Sequence, residues 1–178
     1  MNRPLLIQIH LGLASLYLPL LLLMPLTGGL YLLGFKGTET KTEAFKVDTD
    51  LPIEKSKWHT FFNQQFENQK IDFQFEEIKE SGNDFLLRPS TRTYYSATKN
   101  SDSTLTFYKV EPNLLRKLVE IHKGHGPKLM KWFEISFAFA LILTALSGLW
   151  LSITVPKYMK ITWIAFTIGL GIIIISLY

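Results

Sequence analysis

Three stretches of this chain carry no charged side chain: Pro4 to Phe35, Ile135 to Pro156 and Ile161 to Tyr178. A hydrocarbon core about 30 Å thick is crossed by about 20 apolar helical residues. The first two stretches exceed that length, and the third is at its short end. Backbone polar groups inside a bilayer must be satisfied within the segment, so each stretch is expected to be a transmembrane helix. Nearly all the charge is left between Lys36 and Glu134. The expected fold class is an α-helical membrane protein with three transmembrane helices and a small extracytoplasmic α+β domain.

The first stretch is too long for a signal peptide, whose apolar core is about 7–15 residues and ends in small residues. Here Pro25-Leu-Thr-Gly-Gly-Leu-Tyr-Leu-Leu continues apolar beyond any plausible cleavage point. A retained anchor is expected. Lys and Arg in short segments mark the cytoplasmic side. Arg3 lies at the N-terminus, and Lys157 and Lys160 lie between the last two spans. That orientation puts the N-terminus in the cytoplasm and the middle domain outside. The expected parts are a first span over 1–35, an outer domain with an amphipathic exit helix over 36–128, a second span over 129–155, a cytoplasmic loop over 156–160 and a third span over 161–178.

Cysteine is absent, which excludes disulfides, thiolate metal sites, iron–sulfur clusters and thiol nucleophiles. The net charge of +4 is small. No basic patch with interleaved aromatics points to nucleic acid. Membrane lipid is the first expected partner.

Within the middle region, Gly37 to Asp50 is expected to be extended, with a short strand at Ala44-Phe-Lys-Val. Leu51-Pro52 is expected to open a helix, since proline suits a first turn. Trp58, Phe61, Phe62 and Phe66 follow at helical spacing and give one aromatic face to bury. His59 is placed on the surface beside it. Ile71, Phe73 and Phe75 alternate with polar residues, the signature of a half-buried strand. Ser81-Gly-Asn-Asp84 reads as a turn, Phe85 to Arg88 as the returning strand, and Thr91 to Thr98 as the next strand. Lys99 to Ser103 reads as a turn and Leu105 to Val110 as the last strand. Asn113 is expected to cap a helix with Leu114, Leu115, Leu118 and Ile121 on one face, lying at the membrane surface. Gly124, Gly126 and Pro127 would break it before the second span. Trp132, Trp150, Tyr158, Trp163 and Tyr178 fall where aromatic belts form.

His10-Leu-Gly12, Leu26-Thr27-Gly28, Leu118-Val-Glu-Ile-His122-Lys-Gly124 and Leu146-Ser147-Gly148-Leu-Trp150 occur in that order along nearly the whole chain. Their order and spacing resemble the PepSY-associated transmembrane proteins of bacteria. That resemblance implies an outer helix-plus-meander PepSY domain. It also implies kinship with haem-containing inner-membrane reductases of siderophore-iron uptake, with smaller proteins of other roles, and with protease-propeptide modules.

In two antiparallel helices His10 would lie level with Ser147-Gly148, and His122 level with Thr27-Gly28. Each histidine would then face a small-residue notch, with Gly12 as a further flat place, and the pairing would leave room for a flat macrocycle. The candidate haem ligands are His10, His122, His125 and Met24. Counting opposes a haem held by two histidines. At 1.5 Å rise per residue, His10 lies about 20 Å or more from the outer pair. His122 and His125, if helical, point the same way. Met24 or a homodimer mate would have to supply the second ligand. Two histidines with Glu120 alone nearby make a thin metal site, and no metal is expected. Otherwise the histidines serve the hinge by hydrogen bonding.

No Gly-x-Ser-x-Gly, His-Glu-x-x-His, P-loop or dinucleotide fingerprint occurs. Glu134 sits favourably in the first turn of its span, within reach of Lys131. The leading functional reading is a bacterial inner-membrane accessory subunit. It would bind another inner-membrane protein or a homodimer mate, within an iron-uptake or respiratory electron-transfer system. A haem-b electron-transfer protein of the ferric-siderophore reductase type is the second reading. A membrane-anchored inhibitor of a periplasmic protease is the third.

Overall fold

The computed structural model describes residues 3–49, 51–100 and 104–177. The elements run α1 (Arg3–Leu32), β1 (Glu39–Asp48), a 3-10 turn (Lys55–Lys57), α2 (Trp58–Asn68), β2 (Glu77–Ser81), β3 (Asp84–Arg88), β4 (Tyr94–Lys99), β5 (Thr104–Pro112), α3 (Leu114–His122), α4 (Lys128–Ile153) and α5 (Pro156–Ile175). They form two compact units, one of Met1–Leu21 with Ile135–Tyr178 and one of Leu22–Glu134.

Among the described residues, three helices are long and apolar enough to cross a membrane: Pro4–Leu32, Lys128–Ile153 and Pro156–Ile175. In the helical unit, Tyr17 lies against Phe137 with ring centroids 5.7 Å apart and donates to Ser136 Oγ at 2.8 Å. Leu20, Phe137 and Ala140 are buried there, whereas α5 buries none of its residues. The expected loop over 156–160 is instead the opening of α5. Its break from α4 is confined to Thr154 and Val155, because Pro156 at the first position begins a helix without needing an N–H partner.

In the second unit, α2 packs on a five-stranded antiparallel sheet of order β1-β5-β4-β3-β2. The expected aromatic face is present: Trp58, Phe62 and Phe66 are buried and meet Phe75, Phe85, Leu87, Ala97, Leu105 and Phe107. Phe62, Phe66 and Phe107 are almost wholly enclosed, and burial of a side chain of this size stabilises by about 1.5–3 kcal/mol. Phe45 of β1 stacks on Phe107 at 4.3 Å. Two strands joined by two residues favour glycine where φ is positive. Gly82, first of the two loop residues between β2 and β3, has φ of 62°.

Three expectations are corrected. Ile71 to Phe75 joins no ladder, although Phe75 is buried and Asp72 and Gln74 are exposed as the alternation required. The strand expected there begins later, at Glu77. In place of a short strand at Ala44–Val47, β1 spans ten residues and pairs with β5 from Glu39↔Pro112 to Asp48↔Thr104, around an irregularity between Glu43 and Phe45. The helix expected from Leu51 starts at Trp58 instead, and Pro52 serves the lead-in, its carbonyl accepting the Trp58 indole N–H at 2.8 Å. The turn expected over Lys99 to Ser103 lies partly outside the described residues, as does Tyr178.

Past the sheet, Asn113 accepts from the Arg116 N–H at 2.8 Å and caps α3. Its own N–H and amide hold Thr38 at the start of β1. Gly37, just before, has φ of 71° and runs so close to Arg116 that any Cβ would strike its backbone. α3 ends at His122, and residues 123–127 form the hinge before α4.

Candidate functional site

The hydroxyl of a helical Ser or Thr has one proton, and it often returns that proton to a carbonyl one turn back. Thr27 does so, donating to Leu23 O at 2.7 Å with Met24 O at 3.2 Å. Its oxygen is therefore left to accept, and His122 Nδ1 lies 3.1 Å away. Ser147 repeats the pattern: it donates to Thr144 O at 3.0 Å, and His10 Nδ1 lies 2.9 Å from its oxygen. Both imidazoles thus donate from Nδ1, and in the neutral ring Nε2 holds the lone pair.

A glycine follows each hydroxyl residue. A Cβ at Gly28 would come within 3.2 Å of His122 Cε1, and one at Gly148 within 3.5 Å of His10 Cε1. The His-x-Gly and Thr/Ser-Gly motifs therefore meet as two separate pairs, one in each unit. The imidazoles themselves occupy the glycine notches. At both levels ring and hydroxyl close to hydrogen-bond distance, and beside the outer pair a pocket of about 360 Å³ is left, lined by Thr27, Gly28, Tyr31, Leu32, Val119, His122 and Lys123. Met24 contributes its carbonyl, and Gly12 faces open space, with nothing within 4 Å of where a Cβ would stand.

His122 and His125 do not point the same way. His122 closes α3, and the positive φ of Gly124 (71°) reverses the chain before His125. His125 turns to Glu120, donating from Nδ1 to Oε2 at 2.6 Å. Arg88 lies 2.9 Å from its Nε2. A guanidinium has no acceptor, so Nε2 must accept and the ring is neutral. Burial pushes the His125 pKa below the ordinary histidine value, and the charge of Arg88 works the same way, against the pull of Glu120.

Glu120 is 4% exposed. It also accepts from Ser90 Oγ at 2.8 Å and from Lys123 Nζ at 3.0 Å, with Arg116 at 3.4 Å. Burial alone would raise its carboxyl, but the hydrogen bonds from His125, Ser90 and Lys123 outweigh it and hold the group at about 2. Ser90, His125 and Glu120 do not form a nucleophilic triad. Ser90 donates to the carboxylate, and the nitrogen that would deprotonate it is taken by Arg88. The network extends through Arg116 to Glu39 at 3.3 Å, which also accepts from buried Tyr94.

Sequence reasoning singled out His125 as a candidate haem ligand or hinge residue and missed Arg88 and Ser90, which arrive from the far end of β3 with no local motif to mark them. Lys131 pairs with Glu77 at 2.9 Å instead of Glu134. Glu134 is left with a buried Oε1 that has no hydrogen-bond partner among the described residues. His59 is exposed as expected and bonds Phe75 O and Asn63. Among the described residues, no group of three or more His, Asp or Glu side chains is placed to hold a metal ion. The chain matches no family model, no curated protein and no solved structure.

Proposed function

We propose that this chain is a bacterial inner-membrane accessory subunit that holds its α+β domain outside the membrane and binds a second membrane protein through its helices. One observation carries the reading. Helix α5 buries none of its residues, yet it contains Gly169 and Gly171, with nothing within 4 Å of where a side chain would begin. A glycine inside a helix costs about 1 kcal/mol relative to alanine. In membranes that cost is offset where a neighbouring helix approaches closely. The described residues supply no such neighbour, which supports a partner helix at this face. The resemblance to PepSY-associated proteins suggests an iron-uptake or respiratory electron-transfer system. The test is purification of the tagged full chain in mild detergent with identification of stoichiometric companions. A chain that emerges alone, and stays alone after cross-linking in membranes, refutes the reading.

Haem-b electron transfer is the second reading, because the Nε2 lone pairs of His10 and His122 have the form of an axial ligand, with Nδ1–H held by a hydroxyl. Each imidazole lies against its glycine, within 3.2 Å of a Cβ at Gly28 and 3.5 Å of one at Gly148, and the pocket of about 360 Å³ beside the outer pair is the space this reading would use. No electron-transfer step is derived. An oxidised-minus-reduced visible spectrum of the full chain from haem-replete cells tests it directly, with one haem per chain supporting it and a flat spectrum removing it.

A further inference from the structure

The last turns of α1 and the end of α3 enclose a pocket of about 360 Å³, lined by Thr27, Gly28, Tyr31, Leu32, Val119, His122 and Lys123. Tyr31, Leu32 and Val119 make most of it apolar. Leu32 is 87% exposed, and Leu33 and Phe35 beyond it are exposed as well. Such a surface, at the end of a helix long enough to cross a bilayer, belongs at the level where acyl chains meet headgroups.

The charged residue of the lining is Lys123, and Lys36 joins it at the Tyr31 ring. Lys123 Nζ lies 5.9 Å from the centre of the Tyr31 ring, and Lys36 Nζ lies 5.1 Å from it. Tyr31 is thus bracketed by two ammonium groups. Lys36 has no carboxylate partner among the described residues. Lys123 pairs with Glu120 at 3.0 Å, and Arg116 lies between Glu120 and Glu39 at 3.4 and 3.3 Å. The His122 Nδ1 proton is engaged by Thr27.

We propose that this pocket binds an anionic phospholipid. One acyl chain lies against Leu32, Tyr31 and Val119, and the phosphate lies between Lys36 and Lys123. The proposal rests on the membrane placement of α1 and is independent of any protein partner. Each lysine near an anionic headgroup is expected to contribute about a fivefold preference.

The test uses the full chain in nanodiscs of equal phosphatidylglycerol and phosphatidylcholine, with retained lipid counted by native mass spectrometry. Phosphatidylglycerol is expected to be retained preferentially. Lys36→Gln, which leaves the Glu120 pairs intact, should lower that preference about fivefold, and the double variant with Lys123→Gln should abolish it. Equal retention of the two lipids overturns the proposal, as does an unchanged preference in Lys36→Gln. Displacement of the lipid by glycerol 3-phosphate would identify a soluble-phosphate site and overturn the lipid assignment. A chain washed from membranes by alkaline carbonate would overturn the membrane reading beneath it.

Discussion

His125 gives its Nδ1 proton to Glu120 across 2.6 Å while its other nitrogen receives Arg88, so the hinge before α4 is tied to β3 by a neutral imidazole. The backbone repeats the tie, with the Ser90 N–H donating to His125 O at 3.2 Å.

Acid should loosen this hinge in two stages. The folded pKa of His125 lies below its unfolded value, so as pH falls below the ordinary histidine range the unfolded chain takes the proton first and stability drops. Glu120, held at about 2, contributes stability that is complete above the ordinary carboxylate range and is lost as pH falls toward 2. Both groups therefore act in one direction. Melting of the full chain in detergent should show a plateau above about pH 7 and two descents below it. His125→Asn, whose amide can donate in place of Nδ1, should remove the upper descent and keep the lower.

Glu120→Gln should be the costliest single change in the network. It takes the carboxylate from Lys123 and one of two from Arg116, and it removes charge-assisted hydrogen bonds worth about 1.5–3 kcal/mol each. The melting temperature should fall far more than with Lys109→Gln, whose pairing with Glu111 is on the surface. Equal shifts would contradict the burial argument.

Gly37→Ala should destabilise by about 2 kcal/mol or more, since it combines a left-handed φ with a Cβ driven onto the Arg116 backbone. Gly82→Ala, with an open position and a similar φ, separates the two effects. It should retain only the conformational part.

The two histidine contacts should behave as modest couplings. A double-mutant cycle of His10→Ala with Ser147→Ala, and another of His122→Ala with Thr27→Val, should each give about 1 kcal/mol. A coupling near zero would mean that the imidazole rests on its glycine alone.

Gly169→Leu should leave the yield and melting of the isolated chain unchanged, because no described residue meets that position. Recovery of any membrane partner in pull-downs should fall at least tenfold. Unchanged recovery would move the contact off α5.

Some of this architecture could be read before any coordinates. The charge-free stretches require nothing from elsewhere in the chain to declare a helix, and Trp58, Phe62 and Phe66 declare a face by spacing alone. Gly82 marks its hairpin because a two-residue loop restricts φ locally. Ile71 to Phe75 misleads because alternation records which side is buried and says nothing of a ladder neighbour. β1 is underread for the opposite reason: its Lys, Glu and Thr residues are mostly exposed, and its pairing depends on a strand some sixty residues later. The histidine–hydroxyl pairs are legible because both halves carry a motif. Arg88 reaches His125 across 37 positions without one.

The first and last rungs of the sheet domain are the same rung. Glu39, where β1 begins, is paired with Pro112, where β5 ends before α3. Opposed residues in an antiparallel ladder have their Cα atoms about 5 Å apart. The segment between them is thus a cassette with adjacent ends, which another fold or a tight reverse turn can replace without moving either flanking helix. A load drawing those ends apart would open β1 from β5 one hydrogen-bonded pair at a time, the mechanically softest way to enter a sheet.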